Sequence, residues 1–523
     1  MISMLSSRKF VMKTAVRFGC TALCLVLAAC NDTRDLASDS PDSPWRPVSS
    51  TGLRMPPGSK GFTAPREVGS VAEVEAARAD TVSLDGIGEK PVGLVEMIDV
   101  AERHNPQTRV AWEAARQAAI GVGMSRAALL PQLTLSAMGG FQRLAFPLPN
   151  YLSSRGYLTS NGAAVFPKLE LDYLLLDFGR TRALVQESQQ KALAANFGFT
   201  ATHQELILDV IRAYYAHQAA GAILRASHSA ADNAALLLRS ARARRSNGEA
   251  TIVDVALAER NLAQANYDCD KAEDAEHATK HALLVTMGLP ATTRLTVQSA
   301  DDQRLPEVPP QKINDLIDAA LRARPDILAD VAKLRAADAA LKGARASLAP
   351  SISVASNVSA YLGELKTYGT AQSAPASAIA QPQTQAFIQM TWPIFQGGLR
   401  ANAIHMAESR KAQAAATLAK DQIAVEREVA DGQDELETAL AQVHSAQILQ
   451  KAAQTAFDSA SQSYAHGVGT FTDASSAISA LYGAQAALAV SKAQAFMKAA
   501  SLAHATGRLV SAGSSFDQME DEE

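Results

Sequence analysis

The amino-acid sequence repeats itself over most of its length, and this repeat constrains the fold more strongly than any other feature. Pro106 pairs with Pro325 and Pro131 with Pro350, each 219 residues apart (325 − 106 and 350 − 131). The same offset relates five further pairs: Gly179/Gly398, Gly248/Gly467, Thr251/Thr470, Asp254/Asp473 and Gly288/Gly507. Ordered landmarks at one constant offset indicate duplication, and the period is too long for a solenoid unit. We therefore predict two copies of a half-protein at 94–289 and 313–508, joined by a linker at 290–312.

Residues 1–29 have the features of a bacterial export signal. Basic residues precede an apolar run from Phe18 to Ala29, which is too short to span a bilayer permanently. The run ends in Leu27-Ala28-Ala29-Cys30, which resembles the cleavage box of bacterial lipoproteins, where the cysteine thiol receives a lipid. We expect a signal peptide at 1–29 and a covalent lipid on Cys30. The alternative is an ordinary signal peptide followed by a chance cysteine.

The segments outside the repeats are polar and lack a sustained apolar period. We expect a lipid-anchored N-terminal extension at 30–93 and a polar C-terminal tail at 509–523. Once Cys20 and Cys24 leave with the signal peptide, only Cys30 and Cys269 remain. The sequence therefore predicts neither an intrachain disulfide nor a cysteine-based metal site.

Each copy contains one stretch in which apolar and polar residues alternate. After Pro131, the first copy alternates through Leu133 and Leu135, and it resumes after a Pro/Gly/Ser-rich loop expected at about 146–163. There Leu169, Leu171 and Tyr173 alternate with Lys168, Glu170 and Asp172; in the second copy Ile388, Met390 and Trp392 alternate with Gln385, Gln389 and Thr391. The pattern predicts one β-hairpin per copy with an apolar and a polar face. A soluble sandwich would give the same alternation.

The rest of each copy has helical spacing and very long uninterrupted segments. Residues 168–289 and 394–523 contain no proline, and a helix from Gly179 to about Ser246 would extend roughly 100 Å at ~1.5 Å per residue. Each copy thus reads as helix, hairpin, long helix, turn and helix. Two hairpins give four strands per chain, which cannot close a membrane barrel, so any barrel must be shared by several chains.

Several duplicated motifs resemble a known family. They are Asn105-Pro106 with Arg324-Pro325, Leu130-Pro131-Gln132-Leu133, Leu176-Asp177-Phe178-Gly179-Arg180 with Phe395-Gln396-Gly397-Gly398, and Tyr464 through Gly467-Val468-Gly469-Thr470-Phe471-Thr472-Asp473. In this order they resemble the TolC-like outer-membrane efflux family, over about 94–508. The lipoprotein box resembles the lipid-anchored branch of that family.

The resemblance implies a mainly α-helical protomer with a β-barrel portion. Three such chains would form a twelve-stranded outer-membrane barrel (3 × 4) and a periplasmic α-helical tunnel. The implied partners are two further copies of the chain, a periplasmic adaptor protein, an inner-membrane transporter and outer-membrane lipid. We expect the protein to be lipid-anchored in the outer membrane and to extend into the periplasm.

The resemblance also implies where the functional residues lie. An acidic constriction at the periplasmic mouth matches Asp473 with Tyr464, although some relatives carry a further acidic residue where this chain has Ser476. The alternative role for Asp473 is a helix N-cap after Gly469-Thr470. The polar residues of the hairpins would line the barrel lumen: Lys168, Glu170, Asp172, Gln385, Gln389 and Thr391.

Composition and motif searches argue against other functions. A net charge of −4 gives no basic footprint for nucleic acid, and the phosphate-loop, zinc-protease and nucleophile-elbow motifs are absent from the sequence. We predict a passive exit duct for small molecules or ions, not an enzyme, with no metal and no cofactor beyond the lipid. The alternatives are an outer-membrane channel for protein secretion and a periplasmic coiled-coil lipoprotein scaffold, which would not explain the amphipathic hairpins.

Overall fold

The computed structural model describes residues 42, 91–149, 151, 156–300, 303–368 and 374–509. The predicted signal peptide, the predicted lipid site at Cys30, and nearly all of the predicted extension and tail lie outside these described residues. Two hairpins and eight helices form the described part of the chain. No helix in that part combines the length and the apolar character needed to cross a bilayer.

The two copies have the same order of elements. The first contains α1 (Leu94–His104), α2 (Pro106–Ala127), β1 (Gln132–Pro147), β2 (Tyr157–Leu176), α3 (Arg180–Ser246) and α4 (Ile252–Thr286). The second contains α5 (Ile313–Ala323), α6 (Pro325–Ala346), β3 (Ser351–Tyr368), β4 (Ala374–Thr391), α7 (Leu399–Ala465) and α8 (Phe471–Ala505). The predicted internal duplication of long helices and hairpins is therefore confirmed.

The hairpins differ from the sequence prediction in two respects. The loop expected at 146–163 is wrong, because β1 continues to Pro147 and β2 already begins at Tyr157. Ser160 and Gly162, which suggested a loop, pair with Leu144 and Gln142, so the ladder of backbone hydrogen bonds outweighs their weak strand propensity. The alternation predicts Trp392 in the last strand, but β4 ends at Thr391, because Pro393 after Trp392 cannot donate a hydrogen bond to the ladder.

Each strand-to-helix exit turns through left-handed backbone. Phe178 and Gly179 have φ of 54° and 94°, and Gly397 and Gly398 have φ of 58° and 83° at the corresponding place in the second copy. In the first copy Asp177 accepts hydrogen bonds from the backbone N–H groups of Gly179 and Thr181, which stabilises the start of α3. These turns explain the glycines in two of the duplicated motifs, residues 176–180 and 395–398.

The described residues divide into two compact units. One comprises residues 117–192 and 333–414, with the sheet and the adjoining helix segments; the other comprises the described parts of 37–116, 193–332 and 415–523. In the second unit, alanines at helix contacts are fully covered, and Ala101, Ala241 and Ala495 are each 0% exposed. Small side chains at these contacts let the helix backbones approach closely.

The residue before each helix-starting proline contacts the end of a later helix in the same copy. Asn105 Nδ2 donates to the carbonyl of Thr286 at 2.8 Å, and Arg324 Nη1 donates to the carbonyl of Ala505 at 3.3 Å. In each of the two contacts, donor and acceptor are 181 residues apart in sequence. The two contacts therefore form equivalent joints: each links the start of the copy's second helix, α2 or α6, to the end of its last helix, α4 or α8. The donor is an amide in the first copy and a guanidinium group in the second.

Candidate functional site

The four strands form one antiparallel sheet in the order β1-β2-β3-β4. Thr134 of β1 lies opposite Glu170 of β2, and Glu170 lies opposite Asn357 of β3. Asn357 in turn lies opposite Gln385 of β4. Because directly opposed residues point to the same face of a sheet, this row fixes one face across all four strands.

The polar residues predicted for the barrel lumen all lie on this face, which we call the polar face. Lys168 and Asp172 flank Glu170 at the period of two, and Gln389 and Thr391 follow Gln385 in the same way. Lys168 Nζ lies 2.9 Å from Glu170 Oε2 in an exposed ion pair. The structure thus brings residues from the two copies together on one surface.

The polar face also contains aromatic residues that are not among the predicted lumen residues. Tyr361 accepts a hydrogen bond from Gln142 at 3.2 Å, and its ring meets Phe166 edge-on at 4.8 Å between centroids. Phe387 lies on the same face, opposite Ala355, and is 62% exposed. Strand parity in the sequence could have placed Phe166 and Phe387, since each lies two positions from a predicted lumen residue, Lys168 or Gln389; Tyr361 lies on β3, for which no lumen residue was predicted.

The opposite face of the sheet, which we call the apolar face, is exposed in the single chain. Leu135 is opposite Leu169, and their side chains are 76% and 37% exposed. Ile388 and Met390 continue this face on β4 at 74% and 62% exposure. A soluble domain rarely leaves so wide an apolar surface uncovered, so the face indicates contact with lipid or another protein.

The second predicted site is the turn between α7 and α8. Thr470, not Asp473, is the N-cap of α8: its Oγ1 accepts a hydrogen bond from the Asp473 backbone N–H at 3.1 Å. The alternative prediction that Asp473 is the N-cap is therefore wrong by three residues, because the capping residue is the last one before the helix. Asp473 occupies the third helical position, is exposed, and accepts from Thr470 Oγ1 at 2.6 Å.

The equivalent turn of the first copy has the same threonine cap and one further hydrogen bond. Thr251 caps α4, and the Asp254 side chain accepts in return from the Thr251 backbone N–H at 2.8 Å, which completes a capping box. The Thr251 backbone and hydroxyl donors hold the pKa of Asp254 below its ordinary value. The duplication therefore preserved this helix start in both copies.

Tyr464 is a packed residue of the turn and is only 4% exposed. Its ring lies 5.0 Å from the guanidinium carbon of Arg244, and Arg244 Nη1 donates to the Tyr464 carbonyl at 2.8 Å. Phe471 meets the same ring edge-on at 6.0 Å. Burial raises the pKa of Tyr464, so its phenol stays neutral. Tyr464 thus joins the end of α7 to the end of α3, whereas Asp473 contacts Thr470 and solvent.

Arg244 was not selected from the sequence, because its position in the second copy is Ser463 and the repeat gives no signal there. Its guanidinium group also lies 3.6 Å from the Glu249 carboxylate. The Arg244 guanidinium group therefore links the turn after α3, through Glu249, to the end of α7, through Tyr464. The half-buried Asp254 and the exposed Asp473 lie at the starts of α4 and α8.

Comparisons with known proteins agree with this architecture. The family model of outer membrane efflux proteins matches residues 97–289 and again residues 316–508. Among relatives, protein CyaE of Bordetella pertussis is 27% identical over 401 residues, or 75% of this chain and 76% of that protein. Outer membrane protein OprJ of Pseudomonas aeruginosa is 27% identical over 377 residues, or 69% and 73%. The probable outer membrane lipoprotein SilC of Salmonella typhimurium is 26% identical over 246 residues, or 47% and 51%.

Solved structures have the same fold. The CmeC outer membrane channel of Campylobacter jejuni superposes with a TM-score of 0.68 at 18% identity, over 90% of this chain and 97% of that chain. The outer-membrane channel OprN superposes with a TM-score of 0.67 at 19% identity, over 79% and 89%. The family model covers most of the chain and matches it twice. The chain therefore belongs to the outer membrane efflux protein family.

Proposed function

We propose that the chain is the passive outer-membrane exit duct of an efflux system. Small molecules or ions would reach it from an inner-membrane pump through a periplasmic adaptor protein. The observation that carries this proposal is the sheet with one polar and one apolar face, in a chain of this family. The matched ranges support the proposed repeats at 94–289 and 313–508. We assign no catalytic step to any residue.

The open sheet supports assembly of three chains. Its outer strands β1 and β4 are 16 and 18 residues long, and such edges present backbone groups that pair with another strand. Pairing β1 of one chain with β4 of the next closes a barrel. Two chains would supply about eight strands, whose interior is filled by side chains, whereas three leave a passage. In this barrel the polar face lines the lumen and the apolar face meets lipid.

Channel recording tests the function directly. The purified protein in a planar lipid bilayer is expected to form channels of uniform conductance without any energy source. A coiled-coil scaffold would give no channels, and the absence of channels would contradict the proposed function.

A lipid on Cys30 is proposed to anchor the chain. The cleavage box before Cys30 supports it, and the relative SilC is described as a lipoprotein. Replacement by Cys30→Ser is expected to abolish incorporation of a radioactive fatty acid, because serine lacks the thiol that is acylated. Label that persists in this variant contradicts the anchor. Formation of heat-resistant trimers is expected to survive, since the barrel inserts independently.

Asp473 is proposed to form an acidic gate, where three copies would meet at the periplasmic end of the tunnel. Its carboxylate is exposed, so three like charges would attract cations into a narrow opening. We expect Asp473→Asn to raise single-channel conductance and to weaken block by multivalent cations. Asparagine keeps an oxygen that accepts from Thr470, so the helix start is retained. Tyr464 would hold the turn rather than meet the permeating solute.

The matched control is Asp254→Asn, which makes the same change at the equivalent turn of the first copy. The effect on conductance should be smaller there, because the resemblance places the acidic ring on the second copy. If Asp473→Asn leaves conductance unchanged and Asp473→Ala only lowers stability by about 1 kcal/mol, Asp473 serves the helix start alone.

A further inference from the structure

A thiol and an imidazole meet between the two long helices of the first copy. Cys269 of α4 and His228 of α3 are 41 residues apart in sequence, and Cys269 Sγ lies 3.1 Å from His228 Nδ1 and 3.8 Å from Nε2. The helices run antiparallel here, since Arg242 pairs with Glu259 and His217 with Glu276 on either side of this contact. Cys269 is half-buried and His228 is exposed, so an ion could reach both from solvent.

The number of donors restricts the kind of ion. In the described ranges, no three histidine, cysteine, aspartate or glutamate side chains lie close enough to hold a metal together. Zinc sites use three or four protein ligands, and calcium and magnesium need oxygen ligands. A thiolate with one imidazole suits soft cations with a filled d shell, which accept two ligands in a nearly linear arrangement.

We propose that Cys269 and His228 form a two-coordinate site for a soft monovalent cation such as Cu⁺ or Ag⁺. On binding, the thiol proton leaves to solvent and the sulfur bonds to the cation. The neutral imidazole supplies the lone pair of one ring nitrogen and is not oxidised or protonated. Thiolate and cation then cancel in charge, so the complex needs no further counterion.

The geometry requires a small movement. With metal–sulfur and metal–nitrogen bonds of about 2.3 and 2.0 Å, as in zinc sites, a linear complex separates the donors by roughly 4.3 Å. The sulfur and Nδ1 must therefore move apart by about 1 Å from their present contact. The exposed His228 ring can turn and shift by this amount.

Tyr482 of α8 is near Asp268 and Cys269. Burial, and then the charges of these two groups, raise the pKa of Tyr482, so its phenol stays neutral.

This site departs from the sequence-based prediction that the chain has no cysteine-based metal site. That prediction rested on the number and spacing of cysteines. A histidine 41 residues away on another helix is invisible to such a count, and the structure alone brings it to the thiol.

Silver binding to the purified mature protein, which is expected to lack residues 1–29 and to have the Cys30 thiol acylated, tests the proposal independently of channel function. Ag⁺ is added in chloride-free buffer, unbound ion is removed on a desalting column, and bound silver is measured by mass spectrometry. The parent protein is expected to retain about one Ag⁺ per chain, and Cys269→Ser none above background. His228→Ala is expected to weaken the affinity roughly tenfold or more, measured against a competing chelator. The matched control His277→Ala removes an exposed histidine of α4 and should bind as the parent does.

Three results would overturn the proposal. Equal affinity in His228→Ala and the parent would show that the thiol binds alone, and silver retained by Cys269→Ser would place the ion elsewhere. A second measurement uses the parent protein alone. One equivalent of Ag⁺ should block alkylation of the Cys269 thiol, which is detected on its tryptic peptide. Unchanged alkylation would also refute the site.

Discussion

Leu135→Arg is expected to destabilise the assembled protein by roughly 2–4 kcal/mol, whereas Thr134→Arg should change its stability little. The two residues are neighbours on β1, and the register sends them to opposite faces: Leu135 faces Leu169, and Thr134 faces Glu170. If the apolar face meets lipid, arginine there loses its hydration near the middle of the bilayer. On the polar face arginine remains hydrated and gains an attraction to Glu170.

The measurement is a denaturant titration of protein refolded into lipid vesicles, with heat-resistant trimers as the signal. Because both variants introduce the same side chain one residue apart, the difference between them reports the face and not the substitution. Equal loss in both variants, or a greater loss in Thr134→Arg, would reject the placement of the two faces.

Gly288→Ala should have an effect of similar size at the end of α4. A Cβ added to Gly288 would lie 2.7 Å from the Asn105 Cα and 2.7 Å from the His104 carbonyl oxygen. The residue also has φ of 74°, which alanine adopts only with strain. Overlap with rigid backbone and the strained dihedral together should cost about 2–5 kcal/mol. The thermal midpoint of the helical circular dichroism signal measures this loss.

Two other glycines make this prediction sharp. Gly507, at the equivalent place in the second copy, has φ of 69°, but its Cβ would lie 3.2 Å from the nearest backbone atoms. Gly248 has φ of 78° with nothing within 4 Å, so alanine there meets only the dihedral strain, about 1–2 kcal/mol. We expect the midpoint to fall most for Gly288→Ala, then Gly507→Ala, then Gly248→Ala. Equal falls would show that the close approach to Asn105 contributes nothing.

The pattern of the sequence predicted which strand residues share a polar face, but not the strand ends, the pairing between copies or the contacts of the turn between α7 and α8. Alternation assigned Lys168 and Gln385 to polar faces because side-chain direction in a strand depends only on parity. The register that joins the two sets, through Asn357, depends on pairing between copies that no local pattern specifies. The burial of Tyr464 under Arg244 is likewise a contact between distant segments.

The paired joints at Asn105 and Arg324 give the two halves of this duplicated protein different responses to acid. Arg324 is bound by Asp326, with Nη2 2.7 Å from Oδ2, and by Glu428. Burial opposes ionisation of Asp326, but its hydrogen bonds to Arg324 outweigh burial and hold its pKa below its ordinary value. The stabilisation by this pair is therefore complete above the ordinary pKa and is lost as the pH falls through the lower folded value. The Asn105 amide has no proton to gain in that range. As the pH falls, the contact between Arg324 and the end of α8 should therefore weaken before the contact between Asn105 and the end of α4. The two copies, although they arose by duplication, are expected to open in a fixed order.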